Sequence, residues 1–164
     1  MGATLASGPG AAAGPACPGS GAAPGQASAP ALEAITLCLI NVERRRHRLA
    51  ALRLDPRVAA AARGHAQDMT SHGYLSHYSR GGGPSNRMSR AGFRCVRRGC
   101  PRGEDIAWAP RGATPKRIVA LWMHSAGHRY NILYRTYAVA GVGVAPRGGR
   151  GGAMYVLDFA GRGR

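Results

Sequence analysis

Two pairs of a capping residue and a proline fix where helices can begin in this 164-residue chain. Asp55-Pro56 and Thr114-Pro115 each place a side-chain oxygen directly before a proline. Such an oxygen caps a helix N-terminus, and proline is tolerated at the first helical position because no hydrogen bond is lost there. The pairs predict one helix from Pro56 to about His72 and another from Pro115 to about Ser125. The second helix is expected to break at Ala126-Gly127.

An earlier amphipathic helix is predicted from Leu32 to Arg48, because apolar residues recur there at helical spacing. The run Arg44-Arg45-Arg46 is expected to face solvent or to cap the end of this helix. The helix that begins at Pro56 should bury the face that carries Val58, Ala62, His65 and Met69. The segment from Gly73 to Pro101 is predicted to be mostly loop, with a short helix over 86–91.

The C-terminal part has a different pattern. Val139 to Ala145 and Ala153 to Phe159 are β-prone runs on either side of a Gly- and Arg-rich connection, Arg147 to Gly152. This arrangement predicts an antiparallel hairpin with a long loop. Helices followed by antiparallel strands indicate an α+β domain in which helices cover a small sheet.

The first thirty residues differ from the rest. Residues 1–30 are almost entirely Gly, Ala, Pro and Ser, and this composition buries too little apolar surface to offset the entropy of ordering the chain. We therefore expect residues 1–30 to be disordered and residues 31–164 to form one domain. No secretory signal and no transmembrane segment is visible. A removed signal, a start upstream of the recorded one and an intracellular protein all remain open at this point.

Four cysteines, Cys17, Cys38, Cys95 and Cys100, allow three disulfide pairings. Reduced, buried thiols are the alternative, although Cys17 lies in a segment with little to bury it. A Cys17–Cys38 bridge would join the N-terminal segment to the first helix, and a Cys95–Cys100 bridge would close a short loop. The spacing of the latter pair differs from the CxxC pairs of zinc sites. Oxidised cysteines, and hence an extracytoplasmic location, are the favoured interpretation.

The chain carries a formal net charge of +16, and all but Lys116 of its 23 basic residues are arginine. Nucleic-acid recognition needs a groove-reading element or aromatic platforms as well as charge. No such motif is present, and aromatic residues make up 6% of the chain. The charge therefore predicts unspecific attraction to anionic surfaces, such as cell-envelope polymers or lipid head groups, and no specific nucleic-acid binding.

Short polar motifs interrupt this Ala-, Gly- and Arg-rich background. Their order and spacing resemble those of the CAP superfamily, which comprises cysteine-rich secretory proteins, venom antigens and plant pathogenesis-related proteins, and in particular its SCP-like or YkwD-like bacterial extracellular members. The resemblance extends from about Ala34 to Phe159. The motifs that carry it are Leu39 to Arg44, Ala61-Ala62 with His65-Ala66 and Asp68-Met69, Tyr74 with Ser76-His77, Gly103-Glu104 with Ile106-Ala107, Trp122-Met123 with Gly127-His128-Arg129, Asn131-Ile132-Leu133, and Gly141 to Ala145.

The resemblance implies an α-β-α sandwich with a central antiparallel sheet and a surface cleft. The family cleft holds two histidines and two acidic residues, which correspond here to His77, Glu104 and His128, with Ser125 in the place of the second acid. Three such residues could bind zinc or another divalent cation and activate a water molecule. They could equally form a hydrogen-bonded network that satisfies buried polar groups.

Four further residues are predicted to support the cleft. His65 lies on the apolar helix face, where a satisfied core histidine is more common than a ligand. Asp105 stands where the family usually has asparagine, so its carboxylate either adds negative charge to the cleft or points away from it. Asn131 is expected to tie the turn after His128, and Ser125 lies beside the cleft in place of the acid.

Three functions follow from these observations for a secreted, monomeric protein. The first is a binding module that holds a small apolar or lipid ligand or a cell-envelope component. The second is a metal-assisted hydrolase that uses His77, Glu104 and His128. The third is a disulfide-stabilised basic domain that adheres to anionic polymers. The replacement of one acid by Ser125 favours binding over catalysis.

Overall fold

A computed structural model describes residues 17–96, 99–110, 112, 114–147 and 152–162. These residues contain five helices, α1 to α5, and four strands, β1 to β4. Their bounds are α1 Ala29–Arg46, β1 Arg53–Leu54, α2 Pro56–His72, α3 Pro84–Arg90, β2 Arg102–Ala109, α4 Pro115–His124, α5 Ala126–Ile132, β3 Val139–Arg147 and β4 Gly152–Ala160.

The two predicted helix starts are confirmed. The Asp55 carboxylate accepts hydrogen bonds from the backbone N–H groups of Arg57 (2.9 Å) and Val58 (3.3 Å), and α2 ends at Gly73, whose φ of 69° is left-handed. The Thr114 hydroxyl accepts from the Arg117 N–H at 3.3 Å. The predicted break at Ala126-Gly127 is wrong by one residue. Ser125 is extended and separates α4 from α5, a second short helix that begins at Ala126.

The four strands form one sheet in the order β1-β3-β4-β2. The predicted hairpin is confirmed, because β3 and β4 are antiparallel neighbours. Strand β2 pairs antiparallel with β4 along its whole length. The two-residue edge strand β1 is parallel to β3, so the sheet is mixed at that edge. The sequence analysis predicted neither β1 nor β2.

Helices cover both faces of the sheet, which confirms the α-β-α architecture. Side chains of β4 alternate between the two faces. Tyr155, Leu157 and Phe159 pack in one core with α1, α4 and α5, whereas Met154 and Val156 pack with α2.

Two glycines in β3 allow α2 to lie unusually close to the sheet. A Cβ atom at Gly141 would lie 2.1 Å from the Ala59 nitrogen, and one at Gly143 would lie 2.3 Å from the Ala62 carbonyl carbon. Any side chain at either position would therefore push α2 away from the strand. The close approach of α2 is thus a physical reason for glycine at two positions of the motif Gly141 to Ala145.

The cysteines are oxidised, as expected, and of the three possible pairings the structure contains Cys17–Cys38 and Cys95–Cys100. The first ties the segment before α1 to that helix. Residues 17–30, which the sequence analysis assigned to a disordered segment, lie in turns and in the first turn of α1. Residues 1–16 lie outside the described residues.

One arginine of the basic run at the end of α1 is not where the sequence analysis expects it. Arg45 and Arg46 are exposed, but the Arg44 side chain is fully buried. Its guanidinium donates to four backbone carbonyls: Ala50 (2.9 Å), Ile132 (2.7 Å), Tyr134 (3.1 Å) and Tyr137 (3.5 Å). The expectation that the run faces solvent or caps the end of α1 is therefore wrong for Arg44, which joins α1 to the turn between α5 and β3.

No helix in the described part of the chain is both long enough and apolar enough to cross a bilayer.

Candidate functional site

Glu104 lies at the centre of the candidate site. It stands in β2 on the face that α2 and α3 cover, and its side chain is 1% exposed. One carboxylate oxygen lies 2.8 Å from His77 Nδ1, and the other accepts a hydrogen bond from Arg87 Nη2. Since an ionised carboxylate only accepts hydrogen bonds, the contact with His77 fixes the imidazole proton on Nδ1. The structure thus brings together two of the three predicted cleft residues, His77 and Glu104.

Arg87 is a site residue that the sequence analysis missed. It belongs to the short helix α3 and is buried. Its Nη1 donates to the carbonyls of His77 (3.0 Å) and Gly82 (2.9 Å), while Nη2 contacts Glu104. One guanidinium therefore fixes both the carboxylate and the loop that carries His77. Nothing in its local sequence indicated this role, because arginines are abundant throughout the chain.

His65 packs behind Glu104, on the buried face of α2. Its Nε2 lies 2.8 Å from the Ser76 carbonyl oxygen and 3.9 Å from a Glu104 oxygen. Burial lowers the pKa of His65, and the opposing attraction of Glu104 is smaller. A neutral His65 that donates to Ser76 is consistent with the supporting role expected from the sequence.

Asp158 is a second missed residue. It stands directly opposite Glu104 in the register of β2 and β4 and is fully buried. Burial raises the pKa of the Asp158 carboxyl well above its usual value, and the neighbouring negative charge of Glu104 raises it further. Both effects favour the neutral form of the Asp158 carboxyl. The signal in the sequence was a single acid in the otherwise apolar run Ala153 to Phe159.

Asp105 points to the opposite face of the sheet from Glu104. It is fully buried there and accepts a hydrogen bond from Asn131 Nδ2 at 2.8 Å. Burial raises the pKa of Asp105 to about 8. Asn131 also lies 3.4 Å from the Glu104 carbonyl oxygen, so it fastens α5 to β2. Because Asp105 is turned away from Glu104 and largely protonated at neutral pH, it does not replace the missing acid.

His128 reaches the site from α5 and is half-buried. Its pKa is lowered, first by burial and then by the charge of His77, so the two imidazoles lie near enough to influence each other. Ser125, by contrast, marks the joint between α4 and α5, and its side chain makes no capping hydrogen bond. No contact of Ser125 with Glu104 is present among the described residues.

The donor set fits a divalent cation poorly. Both oxygens of Glu104 are already engaged, one of them by a positively charged guanidinium. Across the residues that the structure describes, no group of three or more His, Cys, Asp or Glu side chains could hold a metal ion. A structural zinc site needs about four ligands and a catalytic one about three. Zinc binding and catalysis by His77, Glu104 and His128 therefore stay predictions from the resemblance.

The chain is similar to known proteins in family, sequence and fold. The family model described as "CAP: Cysteine-rich secretory protein family" matches residues 37–159. The YkwD protein of Bacillus subtilis is 32% identical over 133 residues, which are 80% of this chain and 48% of that protein. The membrane protein YlbC of the same organism is 35% identical over 108 residues, 66% of this chain and 30% of that protein. The chain thus spans half or less of the length of these relatives.

Solved structures share the fold. An extracellular protein with an SCP domain from Bacillus anthracis superposes with a TM-score of 0.71 at 28% identity, covering 82% of this chain and 41% of that one. A cysteine-rich secretory protein of Staphylococcus aureus gives a TM-score of 0.66 at 16% identity, over 82% of this chain and 40% of that one. An outer surface protein of Borrelia burgdorferi gives 0.64 at 18% identity, over 79% and 91%. The last two support the fold alone.

Proposed function

The chain belongs to the cysteine-rich secretory protein (CAP) family, and from that premise we propose that it is an extracellular binding module. In this proposal it holds an anionic cell-envelope polymer at the cleft around His77 and does not cleave it. The proposal concerns this domain, since the chain spans only part of its curated relatives.

Two observations support an extracellular location. The structure contains two disulfides, and bonds of this kind persist in oxidising compartments outside the cytoplasm. The Bacillus anthracis protein with the same fold is described as extracellular.

The state of Glu104 is the observation that supports binding over catalysis. A general base needs a carboxylate oxygen within reach of a substrate proton. In this cleft both oxygens of Glu104 are held by Arg87 and His77, and the side chain is 1% exposed. His77 itself is 46% exposed at its side chain, so it offers a ligand a hydrogen-bonding edge whose orientation Glu104 fixes.

The charge supports an anionic partner. The formal net charge of +16 favours association with a polyanion and speeds the encounter. Net charge alone does not direct the polymer to one face of the protein. In this proposal the cleft around His77 provides the selectivity for the polymer. The small apolar ligand and the metal-assisted reaction considered from the sequence stay predictions.

Replacement of His77 by alanine tests this proposal. We expect His77→Ala to weaken retention on isolated cell-envelope polymer roughly tenfold, the effect of one lost hydrogen bond to a charged group. His47→Ala is the matched control, because His47 is an exposed histidine beyond the end of α1. Affinity is measured by co-sedimentation at near-physiological salt. Equal retention of both variants and the wild type would count against the cleft.

A further inference from the structure

A second concave surface lies between α2, α3 and the loop 79–81. This groove, which we call the α2–α3 groove, has a volume of about 330 Å³. The described residues that line it include Arg80, Arg87 and Arg90, but not His77, Glu104 or His128. It adjoins the candidate cleft and shares Arg87 and His65 with it.

Small residues form the floor of the groove and leave room above it. Ala60, Ala61 and Gly64 of α2 form that floor. A Cβ atom placed on Gly64 would meet no heavy atom within 4 Å. Glycine lowers the stability of a helix by about 1 kcal/mol relative to alanine. No neighbouring atom would clash with an alanine side chain at position 64. The empty space above Gly64 is therefore part of the groove.

The groove is positively charged. Arg80 and Arg90 are exposed and have no carboxylate partner among the described residues. The Arg90 guanidinium lies over the backbone of Gly81, where a Cβ atom would be only 2.2 Å from Nη2. The one acid in the lining, Asp68, is engaged by the Tyr74 hydroxyl and by His72 Nδ1 at 3.0 Å. Arg87 is paired with Glu104, so Arg80 and Arg90 outweigh Asp68 and leave the lining with a net positive charge.

Arg87 adds an unused donor. Its Nη1 and Nη2 are engaged, but its Nε is buried and has no hydrogen-bond partner within the described structure. A buried N–H without an acceptor is costly, and most such groups are satisfied by protein, water or ligand.

The described lining of the groove contains no Phe, Tyr or Trp side chain. The groove therefore offers no aromatic surface on which nucleic-acid bases could stack.

We propose that the α2–α3 groove binds a phosphate group of the anionic polymer. Guanidinium groups present planar pairs of donors that match phosphate oxygens. Arg80 and Arg90 would bind the phosphate from the two sides of the groove, and the small floor would admit the polymer backbone. This proposal rests on the proposed function, because it names the chemistry by which the same polymer is recognised at a second point.

Charge-matched variants test the proposal with polyglycerol phosphate and with inorganic phosphate as probes. The double variant Arg80→Gln/Arg90→Gln should bind polyglycerol phosphate at least tenfold more weakly than wild type. Arg45→Gln/Arg53→Gln removes the same charge from exposed residues of α1 and β1, and should change the affinity by less than threefold. An equal loss of affinity in the two double variants would overturn the proposed phosphate site. It would indicate that the polymer is bound only by the overall positive charge.

A steric pair gives an independent readout. Gly64→Leu should fill the groove and reduce binding as strongly as the arginine variant, whereas Gly64→Ala should bind as wild type does. Thermal unfolding checks that both remain folded, as the empty space around Gly64 predicts. Unchanged binding by Gly64→Leu would also overturn the proposal.

The two probes separate failure of this site from failure of the proposed function. Inorganic phosphate should shift the amide NMR signals of Gly64 and Gly81 and compete with the polymer. Polymer binding that depends on His77 but is unchanged in the groove variants would refute the phosphate site and not the proposed function. Absence of polymer binding with persistent, Arg90-dependent phosphate shifts would refute the proposed function and leave the phosphate site standing.

Discussion

Replacing Arg44 with alanine should lower the free energy of unfolding by about 3–5 kcal/mol, because several buried carbonyls lose their donor and a large buried side chain is removed. The wild-type guanidinium bonds to carbonyls of Ala50, Ile132, Tyr134 and Tyr137. Alanine would leave these oxygens without donors and open a cavity beside α1. The carbonyl of Ile132 lies at the C-terminal end of α5, where the helix dipole favours a cation.

Urea denaturation of the two proteins measures this effect. The matched control is Arg45→Ala, which changes the neighbouring exposed residue and should alter the free energy of unfolding by no more than about 0.5 kcal/mol. A loss below about 1 kcal/mol for Arg44→Ala would show that water or a side-chain rearrangement satisfies the four carbonyls.

Asp105→Asn should stabilise the protein at pH 8 and flatten the dependence of its stability on pH. The folded state raises the pKa of Asp105 from 3.8 to about 8 because the carboxyl is buried. Between these values the folded protein keeps a proton that the unfolded chain releases. The free energy of unfolding of the wild type therefore falls as the pH rises, by up to about 1.4 kcal/mol for each pH unit. Below about pH 4 the contribution of the protonated Asp105 is fully present.

Asparagine at position 105 does not titrate and can still accept the hydrogen bond from Asn131. The difference between variant and wild type should accordingly grow between about pH 4 and pH 8. Asp158 also has a raised pKa, but it is present in both proteins and cancels in the difference. Denaturation curves collected across this range provide the measurement. Parallel stability profiles would mean that Asp105 is ionised in the folded protein or titrates normally.

Local signals in the sequence predicted the helices and the hairpin well. Asp55 and Thr114 cap helices through contacts with residues two or three positions away, so their neighbours alone contain the information. Strand β2 was missed because Glu104 and Asp105 interrupt its apolar pattern. Both acids are buried, one on each face of the sheet, and only their tertiary partners make that burial tolerable.

Only those residues of the candidate site that belong to the family motifs were predicted from the sequence. His77 and Glu104 do meet, and His128 lies close enough to affect the same electrostatics. Arg87 could not be found, since nothing local distinguishes it from the many other arginines. Asp158 faces Glu104 through the register of β2 and β4, which no short-range pattern specifies. The same limit explains Arg44, because three of its four carbonyl acceptors lie about ninety residues away along the chain.

The most direct test of the proposed function measures retention and integrity of the polymer in one sample. Purified protein is incubated with isolated cell-envelope polymer; the bound fraction is determined by co-sedimentation, and the polymer length by gel electrophoresis. We predict saturable binding that His77→Ala weakens and His47→Ala does not, with no change in polymer length. Shortened polymer that depends on His77 and Glu104, or binding that is the same in all three proteins, would contradict the account.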